Sequence, residues 1–150
     1  MACGRPSLNH PSLAGLPLAR VDRITNAAAA LALIDALTSE PPIYETLVVL
    51  LDHQQRGTAV WRLDNTVDND SVLHTADHVI EVTHQTDHVG GVIIASVRPE
   101  SSDELDDVDR WLTIDDQLGL VGIELVEWFV IGRSVSRPRA LLGEPERWAA

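Results

Sequence analysis

The sequence predicts one mixed α/β sandwich domain, and three observations support that class. Its 150 residues fit one domain, 45% of them are hydrophobic, and the mean hydropathy is near zero, as in globular chains. Segments with strand periodicity alternate with segments of helical periodicity in the order α-β-β-α-β-α-β-β. We expect a flexible arm over residues 1–20, rich in proline and glycine, a domain over 21–143 and a tail over 144–150.

The first half of the domain predicts a helix followed by a hairpin. Asp22 or Thr25 is expected to cap a helix that runs through the alanines to about Thr38. The segment 44–52 is rich in β-branched residues and leucine, which favours a buried strand. Residues 58–64 are predicted to return as its hairpin partner.

The second half predicts two further helix–strand units. A helix over 71–88 precedes a central strand over 92–97, and an acidic helix over 103–118 precedes a strand over 122–132. The acidic residues of DELDDVD are interpreted as charges that favour the amino-terminal end of the second helix. Residues 134–143 are predicted to form a short last strand or an arm.

The charge balance excludes two classes of partner. All 11 basic residues are arginine, and 23 acidic residues give a net charge of −12. This charge repels phosphate backbones and anionic lipid, and the cluster of Arg133, Arg137 and Arg139 is too small to reverse it. Apolar runs long enough to span a membrane are absent, and no secretory signal is recognisable. We therefore expect a cytoplasmic protein without nucleic-acid or membrane partners.

The segment from Glu45 to Gly143 resembles the RadC-like branch of the JAB/MPN metalloprotease family in the order and spacing of its elements. ETLVVLLD is similar to the first strand of that family, and residues 64–96 are similar to its loop, long helix and core strand. LGLVGIELVEWFVIG is similar to its turn and following strand, with Glu127–Trp128 in place of the usual Asp-His. The resemblance implies a mixed-sheet, cytidine-deaminase-like α/β sandwich.

The resemblance also implies a metal site that has been lost. Active members bind one zinc through a His-x-His-Pro loop and an Asp on the next helix, while a Glu on the first strand polarises the zinc-bound water. The Glu corresponds to Glu45, the Pro to Pro99 and the Asp to Asp107, but the histidines correspond to Ser96 and Arg98. Neither replaces an imidazole, since serine is a poor zinc ligand and a guanidinium is always cationic. Arg98 is expected either to pair with Asp107 or Glu45 or to be solvated.

These residues imply a catalytically inactive domain that acts as a protein-binding or scaffold module. No cofactor is expected, and the partner is a protein or a second copy, because non-catalytic members of the family pair with domains of the same fold. Trp148 is the aromatic residue most expected to contact a partner. The alternative is a divergent zinc-dependent isopeptidase or peptidase that uses Glu45 and Asp107. It would need recruited ligands, and His53 is the nearest imidazole in the sequence.

The helix predicted over 71–88 contains the pattern His-x-x-Asp-His twice. At 100° per residue, one arc of about 120° holds four imidazoles, from His74, His78, His84 and His88. The opposite side is the predicted buried stripe: Val72, Ala76, Val79 and Thr83. Histidines four residues apart can bind zinc or nickel. Three interpretations stay open, namely a solvated outer face, a metal-binding or helix-pairing surface, and a surface that responds to pH.

Overall fold

The computed structural model describes residues 19–84, 86–101 and 103–148. Within these ranges the elements are α1 (Ala27–Leu37), β1 (Glu45–Leu51), β2 (Gly57–Asp64), α2 (Ser71–Thr83), β3 (Gly91–Val97), α3 (Asp106–Leu120), β4 (Glu124–Ile131), β5 (Val135–Ser136) and α4 (Pro138–Leu141). The five strands form one sheet. The predicted mixed α/β class and the single domain are therefore confirmed.

The sheet is mixed because one of its four strand pairs is parallel. Its strand order is β2-β1-β3-β4-β5, with β3 and β4 parallel and the other neighbours antiparallel. A parallel pair needs a crossover connection, and α3 supplies it between β3 and β4. β1 and β3 are buried along their whole length, which explains their continuous apolar runs.

Helices cover both faces of the sheet, so the domain has three layers. One face packs on α2 and α3 around Trp111 and Trp128, and the other packs on α1 around Ile34 and Phe129. Successive side chains of a strand point to opposite faces. A residue's position along its strand therefore decides which helical layer its side chain meets.

The cap of α1 differs from the prediction. Asn26 caps the helix, and its side-chain oxygen accepts a hydrogen bond from Ala29 N at 2.8 Å. The predicted caps, Asp22 and Thr25, were wrong because Ile24 lies between them in the core rather than in the first turn. A core residue at that point keeps the chain extended until Asn26 can satisfy the free N–H groups.

Two carboxyl-terminal elements also differ from the prediction. α3 begins later than the predicted Asp103, because Glu104 N donates to the carboxylate of Asp107 at 2.8 Å in the turn before the helix. The short strand or arm predicted over 134–143 divides into β5 and α4. Pro138 stands at the start of α4, where its fixed φ and its missing N–H are both tolerated.

α2 ends five residues earlier than its predicted end at residue 88. Thr83 O accepts a hydrogen bond from Thr86 N at 3.1 Å, which closes a turn tighter than the helical repeat. His53 Nε2 lies 2.7 Å from Asp87 O, so a residue distant in sequence fixes the chain outside the helix. The predicted buried stripe is nevertheless confirmed, since its members are all buried: Val72, Ala76, Val79 and Thr83.

The segment predicted as a tail packs on the domain over residues 144–148. Arg147 donates to the carboxylate of Asp115 at 2.7 Å, and Gln55 Nε2 donates to Arg147 O at 2.8 Å. Trp148 is half-buried against the apolar cluster on the α1 face. Trp148 therefore contacts its own domain, and its contact with a partner stays a prediction.

The amino-terminal segment enters the domain beside the turn between β1 and β2. Residues 1–18 of the predicted arm lie outside the described residues. Arg20 N donates to Gly57 O at 2.9 Å, so the last residue of the predicted arm is already joined to the sheet. Among the described helices, none combines the length and the apolar character that crossing a membrane requires.

Candidate functional site

Ser96 lies near the carboxyl end of β3 and points into the layer of α2 and α3. Its neighbour two residues earlier, Ile94, belongs to the core cluster on that face. The Ser96 hydroxyl accepts a hydrogen bond from Trp128 Nε1 at 3.0 Å, and both side chains are buried. Ser96 therefore satisfies the polar atom of a core tryptophan, which would otherwise be buried without a partner.

Arg98 and Asp107 form a buried ion pair at the start of α3. Arg98 Nη1 donates to Oδ2 and Nη2 donates to Oδ1, both at 2.9 Å. The two residues are 2% and 0% exposed. This fork-to-fork geometry is the strongest form of an arginine–carboxylate pair. Of the alternatives for Arg98, pairing with Asp107 is the observed one, and solvation is wrong.

Two further donors occupy the remaining positions on the Asp107 carboxylate. Glu104 N donates to Oδ2 at 2.8 Å, and Arg110 Nη1 donates to Oδ1 at 3.0 Å. Arg110 also donates to Asp70 at 2.9 Å and therefore ties this site to the start of α2. A carboxylate offers about four lone-pair positions, and donors from Arg98, Glu104 and Arg110 use them all. A metal ion at Asp107 would have to displace these donors.

The hydrogen bonds keep Asp107 ionised in the folded domain. Burial by itself raises the pKa of Asp107. The hydrogen bonds from Arg98, from the Glu104 N–H and from Arg110 outweigh burial, and they hold that pKa below its ordinary value of 3.8. The charged carboxylate therefore stabilises the folded state at neutral pH.

We expect Asp107→Asn to lower the free energy of unfolding by about 3 kcal/mol at pH 7 and by much less in acid. The carboxylate stabilises the fold fully above its ordinary pKa of 3.8, and this stabilisation is lost as pH falls through the lower pKa of the folded state. Urea unfolding from pH 7 to about pH 2 measures the difference. Asp106→Asn, on the exposed side of the same helix, is the matched control. A penalty that stays constant with pH would contradict this prediction.

Glu45 lies on the other face of the sheet. It lies two positions before Leu47, so both side chains point to the same face of the sheet, and Leu47 belongs to the core cluster under α1. The Glu45 carboxylate accepts hydrogen bonds from Ser39 N at 2.7 Å and Ser39 Oγ at 3.0 Å, and it lies 3.2 Å from Arg62 Nε. The sheet therefore separates the side chain of Glu45 from that of Ser96. The alternative of a centre built on both Glu45 and Asp107 is weakened by this placement.

His53, the imidazole nearest to Glu45 in sequence, lies at the opposite end of β1. The strand rises by about 3.3 Å per residue, which puts the two residues more than about 20 Å apart. His53 is instead 2.7 Å, through Nε2, from Asp87 O beyond α2. It therefore supplies no ligand to a site that includes Glu45.

The predicted face of four histidines forms only in part. His74 and His78 are exposed on α2, and His84 caps the helix with helical backbone angles, whereas His88 lies beyond it. The His78 ring packs edge-on against Trp61, with the ring centroids 5.3 Å apart. Across the described ranges, no group of three or more His, Cys, Asp or Glu side chains is placed to hold a metal ion.

Glu127 is a buried carboxylate whose partners were not predicted from the sequence. Arg139 Nη2 donates to it at 3.2 Å, and Arg137 Nη1 lies 3.6 Å away. Burial raises the pKa of Glu127, and the hydrogen bonds from Arg139 offset this only in part. Glu127, the one charged residue between Leu125 and Ile131, was the available signal, since a buried acid needs a partner. Arg137 and Arg139, two of the three clustered arginines, thus contact Glu127. Their positive charge is partly neutralised, which further argues against this cluster as a nucleic-acid surface.

The structure brings Ser96, Arg98 and Asp107 together at the end of β3, whereas Glu45, which pairs with Val97 across the sheet, directs its side chain to the other face. No protein-family model matches the chain, and the search of curated proteins returned no match. What this site can do therefore depends on its geometry and on the resemblance of its residues to a zinc site.

Proposed function

We propose that the chain is a catalytically inactive JAB/MPN-like domain, of the RadC-like type, that acts as a protein-binding or scaffold module and self-associates. The observation that carries the proposal is the Arg98–Asp107 ion pair. The resemblance assigns a zinc ion to this position. Here the guanidinium of Arg98 supplies the positive charge and donates hydrogen bonds to both oxygens of the Asp107 carboxylate. A metal cation beside it would be repelled, because arginine stays protonated.

Two further contacts support a structural use of the same residues. Ser96 accepts the hydrogen bond of Trp128, so its hydroxyl is part of the core. Glu45 is held on the far face of the sheet by Ser39 and Arg62. Each residue that corresponds to a catalytic or ligand position thus has a partner within the domain, and none of these contacts requires a metal.

We expect the untagged protein, purified without chelator, to contain about a tenth of a metal equivalent or less. The matched control replaces the four histidines of the predicted face with alanine and is expected to give the same value. About one equivalent in both proteins would contradict the proposal and favour the zinc-dependent hydrolase. Metal that is lost only in the histidine variant would assign binding to the surface histidines instead.

Sedimentation velocity tests the binding half of the proposal. We expect the protein to form dimers at micromolar concentration. A monomer at every concentration would contradict self-association and restrict the proposal to a different protein partner.

A further inference from the structure

The outer side of α3 carries leucines where an amphipathic helix ordinarily presents polar residues. At 100° per residue, one arc of about 80° contains five exposed side chains, which we call the Leu–Asp face: Leu105, Asp109, Leu112, Asp116 and Leu120. The three leucines are 93%, 47% and 80% exposed. Leu105 directly precedes α3 but has helical backbone angles, so it continues the same face.

The three leucines form one line along the helix. They are separated by seven and eight residues, which is about two helical turns at each step and about 22 Å in all. The other side of α3 supplies the domain core, so these leucines are not needed to complete it. The leucines therefore recur once in about two turns, and the aspartates occupy the positions between them on the same face.

The two aspartates of the face are free to pair with an incoming cation. The acidic neighbours Asp107 and Asp115 are bound by Arg98 and Arg147, whereas the described residues offer no ion pair to Asp109 or Asp116. Each free carboxylate lies between two leucines. A basic side chain on a helix packed over the leucines would therefore meet one carboxylate at each step.

The charge of the face identifies the occupant. Two copies packed through this face would bring their four carboxylates together, from Asp109 and Asp116 of each copy. Like charges across an interface suppress such a pairing, whereas opposite charges favour it. A second copy is thus disfavoured on this face, and a cationic partner is favoured.

We infer that the Leu–Asp face binds an amphipathic helix of a partner protein, whose exposed side alternates apolar and basic residues at the same spacing. This inference rests on the proposed function, because it names the class of partner for the binding module. The apolar residues of the partner cover Leu105, Leu112 and Leu120, and its Lys or Arg side chains pair with Asp109 and Asp116.

Fluorescence anisotropy with a labelled synthetic peptide tests the inference. The probe has about 18 residues, enough to span the face as a helix, with Leu and Lys at the complementary spacing. We expect it to bind the wild type at least about tenfold more tightly than a scrambled peptide of the same composition. The variant Leu105→Ser/Leu112→Ser/Leu120→Ser should lose about tenfold in affinity or more. Asp109→Asn/Asp116→Asn should lose about threefold or more and show a weaker salt dependence.

The matched control changes an exposed pair on α2, with Val82→Ser and Asp77→Asn. It should bind the patterned peptide like the wild type, and circular dichroism should show that each variant is folded. Equal binding by the wild type and the triple leucine variant would overturn the inference. Equal binding of the patterned and scrambled peptides would also overturn it, since attraction by net charge alone would then explain the signal.

Two readouts separate this inference from the proposed function. If sedimentation shows that the triple leucine variant alone loses self-association, the face belongs to a second copy. That result would contradict the inference of a cationic partner helix, and it would be consistent with the proposed function. A full equivalent of bound metal would instead count against the proposed function, while the peptide titration would still decide the role of the face.

Discussion

Replacing Arg98 with alanine is expected to lower the free energy of unfolding by about 3 to 5 kcal/mol at pH 7. Asp107 is fully buried and would lose two of its four donors, so an inadequately compensated charge would remain in the core. Among the described residues, Arg110 alone would be left as its ionic partner. Urea unfolding followed by circular dichroism measures the change.

Two comparisons show whether the ion pair itself is responsible. Arg56→Ala removes a partly exposed pair with Asp52 and should cost about 1 kcal/mol or less. Arg98→Met combined with Asp107→Leu should recover most of the loss, because replacing both members of a buried pair leaves no unpaired charge. If Arg98→Ala were as mild as Arg56→Ala, the proposed function would lose the observation that carries it.

Trp128→Ala is expected to destabilise the domain by about 3 to 5 kcal/mol. The indole is fully buried between the sheet and the layer of α2 and α3, and its removal leaves a large cavity. The Ser96 hydroxyl would also lose the donor that satisfies it. Thermal and urea unfolding, analysed together, measure the loss.

Two milder variants separate the contribution of packing from that of the hydrogen bond. Trp128→Phe keeps most of the packing, and Ser96→Ala removes only the acceptor, so we expect about 1 kcal/mol for Ser96→Ala. Trp61→Ala, on the half-buried edge strand β2, should cost less than Trp128→Ala. A small effect of Trp128→Ala would contradict the assignment of Ser96 and Trp128 to the core.

The periodicity of the sequence was sufficient to predict the class of the fold. β1 and β3 contain long apolar runs because both of their faces are covered, and the buried stripe of α2 follows the helical repeat. The end of α2 could not be predicted in this way. His53 reaches Asp87 from 34 positions away in the chain, and no pattern within the helix encodes that contact.

In the candidate site, too, the sequence predicted some contacts, whereas contacts that depend on how distant elements pack could not be predicted. The approach of Arg98 to Asp107 was one of the predicted alternatives. The side chain of Glu45 lies on the face of the sheet opposite to Ser96 because of the register between β1 and β3. The alternation of residues within one strand does not specify that register. The assignment of Arg139 to Glu127 likewise depends on where α4 packs. The position of Glu127 within an apolar run indicates that this carboxylate needs a partner, but it does not identify Arg139 as that partner.

The turn between β1 and β2 receives contacts from both directions along the chain, and this determines when the domain can be completed during synthesis. Arg20 reaches the turn at Gly57 from the amino-terminal side, while Gln55 in the same turn donates to Arg147, 92 positions later. Contacts this distant in sequence slow folding, because a long loop must close before they form. The hydrogen bond from Gln55 to Arg147 can form only after nearly all of the described residues have been synthesised, so the set of contacts at this turn is completed late.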